Sequence, residues 1–161
     1  MDHLWSPWRY DYVSSAAPGG ECLFCRVASE SDDRKNYIVR RDQRSFVLLN
    51  RYPYTSGHLM IAPYAHVATL ADADPRDLEE VIRMARSAEK ALRTIYSAEG
   101  FNLGFNIGHC AGAGVAGHIH MHVLPRWTGD ASFMSTVGET RVLPEDLETT
   151  FEKLSRELAS A

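Results

Sequence analysis

Histidine alternates with apolar residues from His118 to His122, and this pattern constrains the fold more than any other part of the chain. A period of two residues is the period of a β-strand, so the three imidazoles should lie on one face of a strand over His118–Leu124. The apolar residues between them should then face a core. Imidazole can bind a metal, donate hydrogen bonds or attack phosphorus near neutral pH. The pattern therefore predicts a β-sheet with a chemically active histidine cluster on one face.

Three of the seven histidines fall within these five residues. One interpretation is a polar strand face that is histidine by coincidence, although Thr, Lys or Ser would serve there as well. A second interpretation is a site that only binds metal. A third is a catalytic site, which uses the nucleophilic and hydrogen-bonding chemistry of imidazole as well as its position. We favour the catalytic interpretation.

Length and composition fit one domain over residues 1–161, because a chain of this length with 45% hydrophobic residues can form a core. A net charge of −4 argues against a general nucleic-acid or membrane-surface binder. No apolar run approaches the ~18 residues of a membrane span, and the N-terminus lacks the pattern of a signal peptide. Three cysteines, two of them at Cys22 and Cys25, favour a reducing compartment. We therefore expect a cytoplasmic protein without nucleic-acid or membrane partners.

Local patterns predict a sheet whose strands are separated by turn-forming residues. The expected strands are Tyr37–Arg41, Ser45–Asn50, Gly57–Ala62, Phe101–Ile107 and His118–Leu124. The charged segment Glu30–Asn36 should be a loop. Several connections are too short for parallel crossovers, so the sheet should be largely antiparallel.

Two long helices complete the prediction. Asp74 followed by Pro75 indicates a helix start, and this helix should continue over Arg76–Ala98 and stop at Gly100. A last helix is expected from about Pro144 to Leu158, within a C-terminal segment 144–161. Residues 1–20 form an N-terminal extension. Five strands and two helices make an α+β domain.

The triad motif, together with the residues around it, resembles the histidine triad (HIT) family of nucleotide hydrolases and transferases. Asn50–Pro63 resembles the first core hairpin of that family, and Gly100–Gly108 resembles the strand before the triad. Leu4–Tyr10 and Pro125–Phe133 are similar to segments of a branch that contains bacterial diadenosine tetraphosphate phosphorylases. The resemblance covers most of residues 4–150. It implies a HIT-like fold with a five-stranded, mainly antiparallel sheet and two helices, dimerising into a ten-stranded sheet.

The resemblance also implies catalytic roles. His120, the middle histidine, carries over as the nucleophile that forms a covalent nucleotidyl-histidine at an α-phosphate. His122 carries over as a donor to phosphate oxygens, with packing at the strand end as its alternative. Asn50 corresponds to the residue that holds the ribose hydroxyls, and Asn106 to a phosphate-contacting asparagine. Their alternatives are a turn former and a strand-end hydrogen bonder, while His58 resembles a supporting hydrogen-bonding residue.

The remaining substrate contacts are implied less specifically. Four apolar residues match positions that sandwich the purine, although any core would use them equally well: Leu23, Phe24, Val27 and Leu49. The loop Gly108–Gly117 has four glycines in ten residues, so its backbone N–H groups can converge on phosphate. We expect Gly112, Gly114 and Val115 to provide such contacts. The family usually has Gln or Ser near Gly114, and the absence of a side chain there gives more weight to backbone amides and Asn106.

Cys22 and Cys25 form a half-site whose two sulfurs can hold one tetrahedral ion. The resemblance to zinc-containing members of the family adds His66 and His118 as the remaining ligands. Four protein ligands leave no open position, so the ion would be structural Zn²⁺. The alternative for the cysteines is a buried reduced pair or a redox motif, although the βαβ context of a thioredoxin-like motif is missing.

The resemblance implies nucleotidyl transfer on an adenine nucleotide, and diadenosine tetraphosphate phosphorylase (ATP adenylyltransferase type) is the favoured form. One alternative is a hydrolase that releases AMP from dinucleoside polyphosphates or AMP phosphoramidates. A second is a nucleotide-binding sensor with little turnover. A third is a zinc hydrolase that uses the triad as its metal site.

A homodimer is the expected assembly. Open sheet edges need covering, and the apolar stripe of Arg76–Ala98 is broad for packing on one small sheet. The alternative is that the stripe is fully used inside the monomer. Trp5, Trp8 and Tyr10 of the N-terminal extension are candidates to cover the seam or the site of the partner.

Overall fold

The computed structural model describes residues 21–131 and 143–159. Predictions for the N-terminal extension, including Trp5, Trp8 and Tyr10, lie outside the described residues. The elements in chain order are α1 (Leu23–Ser29), α2 (Asp33–Asn36), β1 (Ile38–Arg41), β2 (Ser45–Leu49), β3 (Leu59–Pro63), α3 (Pro75–Tyr96), β4 (Gly100–Phe105), a 3₁₀ helix (His109–Ala111), β5 (Met121–Arg126) and α4 (Leu147–Ala159). The α+β class is confirmed.

The five strands form one sheet in the order β1-β2-β3-β5-β4, and every neighbouring pair is antiparallel. One row across the sheet joins Leu48 to Met60, Met60 to His122 and His122 to Gly104. The triad strand therefore lies between β3 and β4, with side chains of both neighbours beside the histidines. The predicted antiparallel sheet is confirmed.

Apolar side chains pack on both faces of the sheet. The core under α3 and α4 contains Met121 and Val123 of β5. A smaller cluster on the other face, here the α1-side cluster, contains Phe24 and Val27 of α1 and residues of β1, β2 and β3. The histidines alternate with Met121 and Val123, so their rings lie on the α1 side, as the period of two predicts.

The regular part of β5 begins at Met121, three residues later than predicted. Before that point the backbone is held by other groups. The His118 N–H donates to the Val115 carbonyl at 3.4 Å, and the Ile119 N–H donates to the Val67 carbonyl at 2.7 Å. His118 and His120 thus lie on a segment that a neighbouring loop holds in place, outside the sheet ladder.

The two long helices are confirmed, with different ends. α4 begins at Leu147, three residues after the predicted Pro144, and ends at Ala159. Asp74 caps α3 as predicted, because its side chain accepts the Arg76 N–H at 2.8 Å and Pro75 follows it. The helix ends at Tyr96, where Ser97 adopts φ 51°. Gly100 was predicted to end the helix. This prediction is wrong, because Gly100 begins β4.

Two short helices were not predicted. α1 begins directly after Cys22. α2 contradicts the predicted loop, because Asp32 caps it by accepting the Lys35 N–H at 3.0 Å. Such short helices lack the apolar periodicity that identifies long ones.

Candidate active site and metal site

The hydrogen bonding and burial of His120 favour a neutral ring with a free lone pair on Nε2. Its Nδ1–H donates to the His118 carbonyl at 2.9 Å, which leaves the lone pair on Nε2. The side chain is only 4% exposed, and the ring of Phe24 lies 4.6 Å away between centroids. Burial lowers the pKa of His120, so the neutral form is favoured near pH 7. A neutral imidazole with one fixed N–H is the form that can attack phosphorus.

His122 is oriented by a second histidine. The Tyr54 N–H donates to Nδ1 of His58 at 3.2 Å, so a neutral His58 carries its proton on Nε2. That Nε2 lies 2.9 Å from Nδ1 of His122 and donates to it. The remaining proton of neutral His122 is therefore on Nε2, the atom that could donate to a phosphate oxygen.

His58 stays neutral because it is 1% exposed. Burial, followed by the positive charges that His122 and His120 can carry, lowers the pKa of His58 to about 3. The sequence predicted only a supporting role for His58. In the structure, His58 connects the Tyr54 N–H to the ring of His122 through two hydrogen bonds. The alternation of β3 could have indicated this, since His58 lies two residues before Met60, which pairs with His122 on the triad face.

Asn50 lies where β2 turns away from the sheet. Its Oδ1 accepts the Tyr52 N–H at 2.9 Å, and its Nδ2 lies 3.4 Å from Nδ1 of His58. The residue therefore forms the turn, as one interpretation held, and also lies beside His58, the partner of His122. Contact with ribose, the other interpretation, stays a prediction.

The four residues predicted to sandwich a purine do not share one face. Phe24 and Val27 belong to the α1-side cluster and are 1% and 4% exposed, with half-buried Leu23 packed against them. Leu49 lies on the opposite face, in the core under α3, so its predicted role is wrong. Leu48 is the β2 residue that joins Phe24. Alternation could have identified it, because Leu48 lies two residues before Asn50.

The glycine-rich loop is partly closed on itself. The Gly112 N–H donates to the His109 carbonyl at 2.9 Å, so that amide closes the 3₁₀ turn instead of meeting phosphate as predicted. A φ of 86° explains why glycine stands there. Val115 packs its side chain against the α1-side cluster. The amides of Gly114 and Val115 stay predicted phosphate donors.

A cleft of about 390 Å³ opens beside His122. We call it the β4 cleft, defined by Tyr54, Asn102, Gly104, Asn106, His122 and Leu124. Asn106 thus lies near the triad, as predicted from the sequence. The cleft adjoins β4 and β5, whereas the α1-side cluster covers β1, β2 and β3.

The predicted metal ligands come together at the other end of the triad segment. One ligand atom from each of Cys22, Cys25, His66 and His118 lies within 4.8 Å of all the others. Sγ of Cys22 is 3.4 Å from Nδ1 of His118, and Sγ of Cys25 is 3.3 Å from Nδ1 of His66. Tetrahedral Zn²⁺, with bonds of about 2.3 Å to sulfur and 2.0–2.1 Å to nitrogen, separates such atoms by roughly 3.6 Å.

The surroundings also suit a cation. The Nε2–H of His118 donates to the Pro63 carbonyl at 2.9 Å, which leaves the Nδ1 lone pair facing the cysteines. Burial, followed by the neighbouring Cys22, raises the pKa of Cys25, so a thiolate there needs a positive partner. The residues present therefore fit a zinc ion.

Comparison with known proteins identifies the family. Residues 31–129 match the sequence model of the HIT domain. The chain belongs to the HIT family. A relative named AP-4-A phosphorylase, from Mycobacterium tuberculosis, is 34% identical over 99% of this chain and 85% of its own length.

Solved HIT structures share the fold. A Zn-bound histidine triad family protein from Mycobacterium smegmatis aligns with a TM-score of 0.71 and 30% identity, covering 87% of this chain and 94% of its own. A hypothetical histidine triad nucleotide-binding protein from Sulfolobus tokodaii aligns with a TM-score of 0.69 and 26% identity, covering 86% and 93%. None of the helices within residues 21–131 and 143–159 combines the length and apolar character that a bilayer crossing requires.

Proposed function

We propose that this HIT protein is a nucleotidyl-transfer enzyme that cleaves an adenine nucleotide at its α-phosphate through a covalent nucleotidyl-His120. The observation that carries the proposal is the 2.9 Å hydrogen bond from His120 Nδ1–H to the His118 carbonyl, because it makes Nε2 the nucleophilic atom. The similarity to a protein named AP-4-A phosphorylase supports diadenosine tetraphosphate as the substrate.

The reaction proceeds in two displacements. Nε2 of His120 forms a bond to the α-phosphorus while the bond from that phosphorus to the bridging oxygen breaks, and ATP leaves. Inorganic phosphate then forms the new phosphorus–oxygen bond, the phosphorus–nitrogen bond breaks, and ADP leaves. The sum converts diadenosine tetraphosphate and phosphate into ATP and ADP. Covalent catalysis thereby divides one difficult displacement into two easier ones.

The other residues act by position. Nε2–H of His122 donates to a phosphate oxygen, and Nδ1–H of His120 keeps its bond to the backbone when the ring becomes cationic. Asn50 holds ribose hydroxyls, and Asn106 contacts the phosphates. The purine lies against the apolar residues next to the triad, Leu23, Phe24, Val27 and Leu48. The amides of Gly114 and Val115 complete the phosphate contacts.

Product analysis tests the acceptor. The protein is incubated with diadenosine tetraphosphate, with and without millimolar phosphate, and the nucleotides are separated by ion-exchange chromatography. ADP should form only when phosphate is present. AMP under both conditions would make the protein a hydrolase. Tight binding of AMP with very slow product release would favour a nucleotide sensor.

We propose a structural role for zinc at Cys22, Cys25, His66 and His118. Four protein ligands close the coordination shell, so the ion supplies cohesion between α1, the loop after β3 and the triad segment. A Zn-bound relative of similar fold supports this assignment. The free thiols of Cys22, Cys25 and Cys110 are compatible with the proposed cytoplasmic location. The proposed assembly is a homodimer.

A further inference from the structure

The β4 cleft and the α1-side cluster lie on opposite sides of the triad. Phe24 and Leu48 belong to the cluster over β1, β2 and β3, while Asn102 and Gly104 line the cleft on β4. Since β5 lies between β3 and β4, the cluster and the cleft flank His122 on its two sides. The cleft volume of about 390 Å³ falls in the range of about 300–1,000 Å³ that is typical of small-molecule sites.

We propose that the β4 cleft binds the second nucleoside of a dinucleoside polyphosphate, the half that departs with the leaving phosphates. This inference rests on the proposed function, because it places the α-phosphate at His120. A displacement in line with the His120–phosphorus bond requires the leaving oxygen to depart on the far side of phosphorus from the nucleophile. With the first nucleoside on the α1 side, the polyphosphate extends over β5 towards β4.

The lining residues suit a nucleoside. Tyr54 supplies an aromatic ring, which lies at 24° to the ring of His122, and base stacking on such rings is common in nucleotide sites. Half-buried Leu124 adds apolar surface. Oδ1 of Asn102 accepts from Arg126 at 2.7 Å, which leaves its Nδ2 group to donate to a ligand, and the amide of Asn106 can bond to base edges or ribose hydroxyls. In the described part of the chain, no lysine or arginine lines this cleft, and the guanidinium of Arg126, which donates to Asn102, is paired with the carboxylate of Asp130. Its chemistry therefore favours a nucleoside over free polyphosphate.

Gly104 keeps the floor of the cleft open. It pairs with His122 across β4 and β5, so its missing side chain would project on the triad face. Its φ is not in the left-handed region, and a Cβ there meets no described atom within 4 Å. Glycine in a strand costs stability, and without a backbone reason it often marks a close approach of a ligand. Gly104 thus points to an occupant beside His122.

A pair of glycine substitutions on one strand tests the proposal. Gly104→Val fills the cleft. Gly100→Val lies on the same face of β4, outside the cleft, where a Cβ would be 4.0 Å from Cβ of Arg126. Asn102→Ala removes an amide further from the triad. Calorimetry measures the affinity of each protein for a non-cleavable methylene-bridged analogue of diadenosine tetraphosphate and for AMP.

The wild-type protein should prefer the dinucleotide analogue to AMP. Gly104→Val should reduce this preference by about tenfold or more, Asn102→Ala by roughly threefold to tenfold, and Gly100→Val should leave it unchanged. Sedimentation of each variant shows whether assembly is altered. The proposal fails if the preference is absent in the wild type, if it survives in Gly104→Val and Asn102→Ala, or if both valine variants lose it equally.

The outcomes separate this inference from the proposed function. In one outcome, the protein shows no turnover and forms no nucleotidyl-His120, but Gly104→Val still abolishes the preference for the dinucleotide. The protein would then have the subsite and lack the proposed reaction. A protein that turns over diadenosine tetraphosphate while Gly104→Val keeps its preference has the reaction and lacks the subsite.

Discussion

Two backbone groups set the protonation of the reactive imidazoles. At one end, the His118 carbonyl accepts Nδ1–H of His120. At the other, the Tyr54 N–H donates to Nδ1 of His58, which in turn donates to His122. Since an N–H can only donate and a carbonyl can only accept, each neutral ring has one possible tautomer. The free lone pair on Nε2 of His120 and the free N–H on Nε2 of His122 are therefore fixed before any substrate arrives, as the proposed nucleophile and the proposed phosphate donor require.

Replacing His120 by Ala should lower turnover of diadenosine tetraphosphate by at least about a thousandfold, because the nucleophile is lost. AMP binding should remain, since the ring contributes little contact area and Asn50 is unchanged. Steady-state kinetics and calorimetry measure the two quantities, and mass spectrometry of the quenched wild type should show one added AMP. Turnover within about tenfold of the wild type would remove His120 from the mechanism.

Asn50→Ala separates the two roles of this residue. Loss of hydrogen bonds to ribose should weaken AMP binding by about 1–2 kcal/mol. Loss of the bond from the Tyr52 N–H to Oδ1 should cost stability as well. Asn50→Asp is the matched control, because its carboxylate can still accept from Tyr52 and from ribose. Unchanged AMP affinity in Asn50→Ala, with a lowered Tm, would make Asn50 a turn residue alone.

At the scale of elements, α1 and the loop after β3 are joined to the triad segment through the metal ligands. The Ile119 N–H donates to the Val67 carbonyl, and His118 and His66 directly precede these two residues in the chain. Phe24 of α1 contacts both His118 and His120, with ring centroids 5.2 Å and 4.6 Å apart. A change that loosens α1 should therefore disturb the position of His120.

Metal analysis should find one zinc per chain, and its removal should destabilise the protein. Cys22→Ser should cost at least about 2 kcal/mol, or roughly 4–8 °C in Tm. Cys110→Ser is the matched control, because Cys110 is exposed and outside the ligand cluster. A chelator should lower Tm without quickly stopping turnover. A metal-free protein with unchanged Tm would contradict a structural zinc site.

Gly57 directly precedes His58 and lies in close contact with the helix α3. Its φ is 75°, and a Cβ there would lie 2.7 Å from Cδ2 of Leu92 and 3.3 Å from Cε2 of Tyr96. Gly57→Ala should therefore cost about 2–4 kcal/mol, from backbone strain and overpacking together. It should also lower kcat, since His58 follows directly.

Gly129→Ala is the control for backbone strain alone. Gly129 has a similar φ of 80°, but a Cβ there meets no described atom within 4 Å. The difference in unfolding free energy between the two variants, measured in urea, gives the packing part. Equal losses in both variants would show that the contact with α3 is unimportant.

At the scale of the whole molecule, the sequence revealed the periodic parts of the fold and missed contacts between distant segments. Alternation identified the triad face and the core face of β5 correctly. The start of β5 depends on Val67, more than fifty residues away, and no local pattern indicates it. Leu49 was assigned to the purine by position in a motif, although alternation places Leu48 with Phe24. The cluster of Cys22, Cys25, His66 and His118 was predicted because the two cysteines form a recognisable half-site and the family resemblance supplied the two histidines.

The surface of the whole molecule indicates where two copies would meet. β4 is an edge strand with exposed Leu103. The other edge strand is β1, and α4 packs against β1. Ile82 of α3 is 57% exposed, so the apolar stripe is not fully used inside the chain. It lies three helical turns from Arg93, which stacks over Phe101 of β4 at 4.9 Å. The uncovered flank of α3 and the β4 edge thus face the same side.

We expect a homodimer whose two sheets join at β4, giving ten strands. Sedimentation at micromolar concentration should report about twice the chain mass of 18.0 kDa. Ile82→Lys and Leu103→Lys together should shift the protein to monomers, because they place charges in an apolar contact. Leu143→Lys is the control, since this leucine is exposed to a similar degree, 40% against 44% for Leu103, and precedes α4. A wild-type protein that sediments as a monomer would contradict the shared sheet, and equal effects of the control would place the contact elsewhere.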